Sequence, residues 1–184
     1  MEINAPHKNP LDFVSIDFET ANINRNSACE IGIIICHDEK IIDSFHCRIR
    51  PPTSNFDYQN TEIHGISWID VKNEKSFLGI WPKIESLIAN AAYIAAHNAS
   101  FDKSVLKSCC EHYGIPFPNI PWICTYRHIA TKLWPKPTIV DNHKLNTLCH
   151  HLGIKLSHHQ ALSDAQAVAE MIFIAKENGW KPDV

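Results

Sequence analysis

Five side chains stand where their types and spacing suggest chemistry. In "FVSIDFET", Asp17 and Glu19 lie two residues apart at the end of an apolar run, and the period of a strand aims both at one face. "AAHNASFD" carries Asp102 in the expected first turn of a helix, directly after a small apolar strand. "HHQALSDA" puts His159 five residues before Asp164, with the helix of Asp164 beginning between them. A further stretch, "TEIHGIS", offers His64 beside a glycine. Taken singly, each has a plainer explanation: Asp102 and Asp164 as first-turn charges against a helix dipole, Asp17 and Glu19 as an exposed strand face, the histidines as polar loop. Together, one strand and two helices can bring Asp17, Glu19, Asp102 and Asp164 to one sheet edge. Without a cation that convergence would cost on the order of several kcal/mol in repulsion and desolvation. All-oxygen donors suit hard divalent cations, and a histidine, which titrates near neutral pH, suits the removal of a proton from water.

The elements that must position these groups follow from the apolar pattern. "LDFVSIDFE" reads as a strand, and "ACEIGIIICHDEKIIDSFHCRIRP" as two strands joined at "HDEK" and stopped by Pro51 and Pro52, which predicts an antiparallel three-stranded start. "TSNFDYQNTEIHGIS" reads as a polar loop with an apolar tip, "FLGIWPKIESLIAN" as a helix and "AAYIAAHN" as a strand. "SFDKSVLKSCCEHYG" predicts a helix with Ser100 as N-cap and Gly114 at its end. "CTYRHIATKLWP", "KLNTLCHHLGI" and "ALSDAQAVAEMIFIAKENG" have apolar residues at helical spacing. Strands first, helices after, with one later strand, indicate an α/β or α+β domain on a mixed sheet. Residues 1–10 read as a flexible lead-in and 11–184 as a single domain.

Composition narrows the function classes. At 184 residues the chain is long enough to bury a core without staples. Its seven cysteines are odd in number and irregularly spaced, which favours a reducing compartment. Nothing in the sequence reads as a secretion signal, and no segment approaches the roughly 18 apolar residues of a membrane span, so a cytoplasmic protein with no membrane partner is expected. A net charge of −3 argues against coating nucleic acid through bulk positive charge. With four acids committed to cations, the rest of the chain carries a slight positive balance.

The ordered motifs D-x-E, H-N-x-x-F-D and H-x-A-x-x-D resemble the DEDDh branch of the DnaQ-like 3′-to-5′ exonucleases, and within it bacterial exonuclease X. "AAHNASFDKSVL" and "PWICTYRHIATKLWP" extend the likeness, which runs from about Phe13 to Ile174. The resemblance implies a ribonuclease H-like fold: a mixed central sheet, its first three strands antiparallel, flanked by α-helices. It implies that Asp17, Glu19, Asp102 and Asp164 hold two divalent cations, Mg²⁺ or Mn²⁺, and that His159 is the general base. The implied activity is hydrolysis from the 3′ end of DNA, at single-stranded or frayed ends, with release of nucleoside 5′-monophosphates. His64 and Ile66 match the loop near the terminal nucleotide, and Thr20, His97 and Asn98 are further substrate-contact candidates. Lys103, Lys107, Arg127 and Lys144 are candidate phosphate contacts. A polymerase partner and a homodimer are both open beside the nucleic-acid 3′ end. One departure stands out: "TANINRNSACEIG" has no glycine until Gly32, where many members carry one soon after the threonine.

Two other readings remain. An RNA-trimming enzyme of the oligoribonuclease or ribonuclease T type would use the same residues, since nothing in the sequence decides whether a 2′-hydroxyl is accepted. A catalytically inactive nucleic-acid-binding module is disfavoured by the presence of all five site residues. Zinc bound by Cys109, Cys110 and His112, or by Cys149, His150 and His151, lacks the paired spacing of a zinc site.

Overall fold

The computed structural model describes residues 12–183; the lead-in expected over residues 1–10 lies outside the described residues. Five strands, β1 (Phe13–Thr20), β2 (Ala28–His37), β3 (Lys40–Arg48), β4 (Tyr93–Ala96) and β5 (Trp122–Cys124), form one sheet in the order β3-β2-β1-β4-β5. β1, β2 and β3 are antiparallel, and β4 and β5 add to β1 in parallel. The β2–β3 hairpin turns through Asp38 and Glu39 with φ of 47° and 59°, the double positive φ of a turn whose twist suits a hairpin.

The strand period sorts β1 into two cores. Val14, Ile16 and Phe18 pack with Ile31 and Ile33 of β2 against α3 (Phe77–Ile88) and α4 (Ser100–Tyr113). Phe13 packs on the other face with Ile34 and Cys36 against α6 (Leu145–Leu152) and α7 (Ala161–Glu177). Asp17 and Glu19 share the parity of Phe13 and Ser15, and so point to the α7 side. That helix is fastened to the sheet by the buried Ser15 hydroxyl, which donates to the Ala165 carbonyl at 2.7 Å. It can lie close because Gly32, paired with Asp17, has no side chain: a Cβ there would stand 2.3 Å from the Ala161 carbonyl.

Several local expectations need correction. The stretch expected as a polar loop contains α1 (Tyr58–His64), closed by Gly65 at φ 74°; α2 (Trp68–Val71) follows that stretch, and Ser67 and Asp70 form its capping box. α1 buries none of its residues, so it leaves no apolar stripe in the sequence. Two later strands are present rather than one, because β5 is only three residues long. Cys124 ends that strand, and a π-helical segment (Thr125–Ala130) leads into α5 (Thr131–Leu133) where a regular helix was expected. Ala99 rather than Ser100 caps α4, whereas Gly114 closes it in the left-handed conformation as expected.

Candidate active site

Ligand oxygens of Asp17, Glu19 and Asp164 all lie within 4.8 Å of one another. β1 supplies the first two from one face. α7 supplies the third from its first turn, because Gly32, Ser15 and Glu30 hold the start of that helix on the sheet. Glu30, buried on β2, accepts the Ala161 N–H at 3.1 Å through one oxygen and lies 3.0 Å from His46 Nε2 through the other. Asp102 arrives from the opposite face at the head of α4, is 1 % exposed and accepts the Phe18 N–H at 3.1 Å. It therefore adjoins the trio without belonging to its tightest grouping.

The electrostatics are those of acids crowded away from water. Burial, then the charges of Asp102, Asp164, Glu19 and Glu30, push Asp17 well above the usual carboxylate range. Burial and the neighbouring acids raise Glu19 to about 8. Asp102 is raised chiefly by burial. Asp164 is raised by burial too, although His158 beside it pulls the other way. Asp164 Oδ2 receives His158 Nδ1 at 2.9 Å and the His159 N–H at 3.2 Å, while its Oδ1 is buried without a partner. An orphaned carboxylate oxygen inside a group of mutually repelling carboxylates fits a hard divalent cation, which supplies the missing partner and the missing charge. Cys109, Cys110 and Cys149 are buried, and none belongs to a potential metal-holding group among the described residues.

The trio opens into a cleft of about 960 Å³. His159 lines it with φ 65°, stacked on His158 with ring centres 3.8 Å apart. Desolvation, then the neighbouring His158, lower its pKa, which keeps the imidazole neutral and able to accept a proton. His158, read from sequence as loop, is drawn into the site by its bond to Asp164.

The remaining sequence candidates divide. Thr20, His64, His97 and Asn98 line the cleft. Ile66 does not: it is 2 % exposed and packs with Ala21, Cys29 and Val71, so the expectation that it touches substrate is corrected. His64 donates from Nε2 to the Thr20 carbonyl at 3.2 Å and accepts the Ile66 N–H on Nδ1 at 3.0 Å, tying α1 to the end of β1. His97 donates from Nε2 to the His143 carbonyl and accepts from the Thr125 hydroxyl on Nδ1, each at 2.9 Å. Both rings are struts of the cleft wall. Asn98 adopts φ 56° at the lip, where its side chain accepts from Ser100. Of the proposed phosphate contacts, Lys144 lines the cleft and Lys103, Lys107 and Arg127 do not.

Sequence reasoning passed over Asn60, whose Nδ2 donates to the Thr20 carbonyl at 2.8 Å. It also passed over Ile23 and Ile63, which line the cleft while 83 % and 53 % exposed, and over Tyr126 and Lys136 on its far side. Glu30 and Gly32 did leave a signal: an acid and a glycine in alternation on a strand that is otherwise apolar, "CEIGIII".

Comparisons with known proteins bear on the family and the fold. The RNase_T family model, described as an exonuclease, matches residues 14–172. The chain is 35% identical over 171 residues to a PolC-type DNA polymerase III of Caldanaerobacter subterraneus subsp. tengcongensis and 32% identical over 164 residues to that of Clostridium perfringens. These alignments cover 89% and 88% of this chain but 11% of each polymerase. Among solved structures, exonuclease X in complex with 5′-overhanging duplex DNA superimposes with a TM-score of 0.74 at 24% identity, covering 92% of this chain and 94% of that one. The nuclease domain of 3′hExo, a DEDDh family member bound to rAMP, has the same TM-score at 17% identity, covering 92% and 93%.

Proposed function

The chain belongs to the RNase_T exonuclease family, and from that premise we propose that it is a metal-dependent 3′-to-5′ exonuclease that shortens DNA at single-stranded or frayed ends and releases nucleoside 5′-monophosphates. The observation that carries this reading is the trio Asp17, Glu19 and Asp164, with an orphaned Asp164 oxygen, open to a cleft that His159 also lines. The reading treats residues 11–184 as one exonuclease domain.

In this mechanism Asp17, Glu19, Asp102 and Asp164 would hold two divalent cations, Mg²⁺ or Mn²⁺. Bound there, such ions would supply positive charge for the phosphate oxygens and lower the pKa of the attacking water. His159 takes the proton of that water as its oxygen attacks phosphorus in line with the departing 3′ oxygen. The P–O3′ bond breaks, the shortened strand leaves with a 3′-hydroxyl, and the former terminal residue departs with a 5′-phosphate. Asp164 orients the base through the His159 N–H, and the His64 and His97 struts keep the cleft wall in place. Thr20 and Asn98 line the cleft and are the proposed contacts of the terminal nucleotide, with Ile23 and Ile63, which line it too, as apolar surface for its base.

DNA is favoured over RNA because the polymerase relatives carry the matching segment within DNA polymerases. A second reading, exoribonuclease, is favoured by a similar structure described as recognising a histone mRNA stem-loop (TM-score 0.76, 17% identity). We also propose a cytoplasmic location, consistent with the free cysteines, and note that no helix among the described residues is long and apolar enough to cross a membrane. A polymerase or a second copy of the chain is proposed as partner.

The test is degradation of 3′- and 5′-labelled DNA and RNA strands by purified protein. With Mg²⁺ or Mn²⁺ the 3′ label is expected to leave first, as a mononucleotide, and EDTA to stop the reaction. Faster turnover of matched RNA would transfer the proposal to RNA. A 3′-labelled strand left intact across neutral to alkaline pH would favour an inactive binding module.

A further inference from the structure

The loop between β1 and β2 is fastened throughout. The Ala21 N–H donates to the Ser27 carbonyl at 2.8 Å and the Ser27 hydroxyl to the Asn24 carbonyl at 2.6 Å. Asn22 Oδ1 accepts the Asn24 N–H, its Nδ2 donates to the Asn55 carbonyl, and Asp57 accepts the Ile23 N–H. These side-chain bonds do the work that a glycine does elsewhere, bending the backbone while keeping a fixed shape. From this rigid loop Arg25 reaches into the cleft and lays its guanidinium over the Phe101 ring, 4.4 Å from the ring centre.

Three features make that placement informative. Phe101 directly precedes Asp102, so the cation stands at the edge of the acid cluster. Among the described residues Arg25 forms no ion pair with any carboxylate, in contrast to Arg48, which is paired with Asp70. It is also the one arginine among the described residues that line the cleft. A guanidinium held over an aromatic ring can keep N–H donors free in its planar fork, the geometry that matches two oxygens of a phosphate.

Resting on the exonuclease reading above, we propose that Arg25 is a substrate-binding residue that grips, through its fork, a backbone phosphate of the bound strand on the 5′ side of the bond being cut. The reacting phosphate belongs to Asp17, Glu19, Asp102 and Asp164; the Arg25 charge is felt by Asp102, but Arg25 makes no ion pair with any of the four. The phosphates left for it are those further up the strand. Phe101 holds the fork at a fixed height, and the fastened loop sets its position.

The experiment is single-turnover first cleavage in Mg²⁺ or Mn²⁺ as a function of enzyme concentration, with strands carrying one neutral methylphosphonate at each of the three linkages 5′ of the scissile one. For the unmodified strand, Arg25→Ala is expected to raise the half-saturating concentration about tenfold or more with a smaller change in the maximal rate, the worth of one charge-assisted pair of bonds. The log–log salt dependence should become shallower by about 0.7 for a single strand. Arg25→Lys should keep the salt dependence but recover only part of the affinity. In the unmodified protein one methylphosphonate position should weaken binding, and in Arg25→Ala that position should have no effect. Equal sensitivity of both proteins at every linkage, or an unchanged salt slope in Arg25→Ala, would overturn the assignment and leave Arg25 as a support for its loop. If the unmodified protein shortens none of the strands, the exonuclease reading itself has failed, which is a separate outcome.

Discussion

Replacing Gly32 by alanine tests how the acid cluster is assembled. The new Cβ would stand 2.3 Å from the carbonyl carbon and oxygen of Ala161 and 2.4 Å from the Leu162 nitrogen. All three are backbone atoms, so no side chain can swing aside. Restoring an ordinary contact near 3.4 Å requires the start of α7 to retreat from β2 by roughly 1 Å. Overpacking of this kind costs about 1–3 kcal/mol of stability. The catalytic consequence is larger. The same retreat would stretch the Glu30–Ala161 bond from 3.1 Å beyond hydrogen-bonding range and withdraw Asp164 from Asp17 and Glu19. A misplacement of about 1 Å at reacting groups costs about 10²-fold in rate, so Gly32→Ala is expected to lose that much turnover well below its melting temperature. Gly79→Ala in α3 is the control. Its Cβ would approach only the Lys75 side chain, at 3.3 Å, and the helix should gain about 0.5–1 kcal/mol. The assays are denaturant unfolding and release of a 3′-terminal label. Turnover by Gly32→Ala within about threefold of the unmodified protein would refute the claim that this glycine sets the position of Asp164.

His159→Ala should lower the maximal rate by about 10²- to 10⁴-fold, the usual worth of a general base, while Mn²⁺ binding, read by thermal shift, stays close to normal; near-unchanged turnover would remove the assignment. The metal-free protein should lose stability as pH rises. Glu19 is raised to about 8 from an ordinary value of 4.5, so between those values the folded chain holds a proton that the unfolded chain has released, and each step up in pH favours unfolding. Unfolding free energies measured in EDTA at pH 5, 6.5 and 8 should fall in that order, and saturating Mg²⁺ should flatten the trend. Asp164→Asn should abolish turnover and also raise metal-free stability at pH 8, because one of the repelling charges has gone; a large drop in stability there would contradict the repulsion account.

What was legible in the sequence was what repeats or alternates. β1 and β2 are long and apolar, α7 runs for 17 residues, and the turn at "HDEK" and the glycine end of α4 follow from local rules. Asp17 and Glu19 were readable as same-face acids because a strand's period is two. What was not legible depends on contacts across the chain. α1 has no buried residue to mark it. Ile66 was misassigned because nothing local distinguishes an isoleucine that packs on Cys29 from one facing a cleft. The same limit applies to His158 and His159, which are adjacent and chemically identical. Only the fold decides that one sends its ring nitrogen to Asp164 while the other gives Asp164 its backbone N–H and presents its ring to the cleft.

The acids around the site differ less in burial than in how their oxygens are engaged, and that difference separates support from chemistry. Glu30 sits directly across from Glu19 in the β1–β2 ladder, an arrangement that should repel. Both of its oxygens are engaged, one by the first N–H of α7 and one by His46, so it acts as an anchor for the helix and has little left to offer a cation. Asp102 is intermediate: one oxygen is tied to the Phe18 N–H, which fixes the head of α4 against β1. Asp164 has one oxygen held by two donors and the other buried with no partner at all. A fold selected for stability alone would have given that oxygen a hydroxyl or amide donor. An undonated oxygen beside Asp17 and Glu19 makes the cluster unfavourable by itself and favourable with a divalent cation. The Glu30 anchor therefore has a function of its own: it holds α7 in place against the repulsion that the site requires.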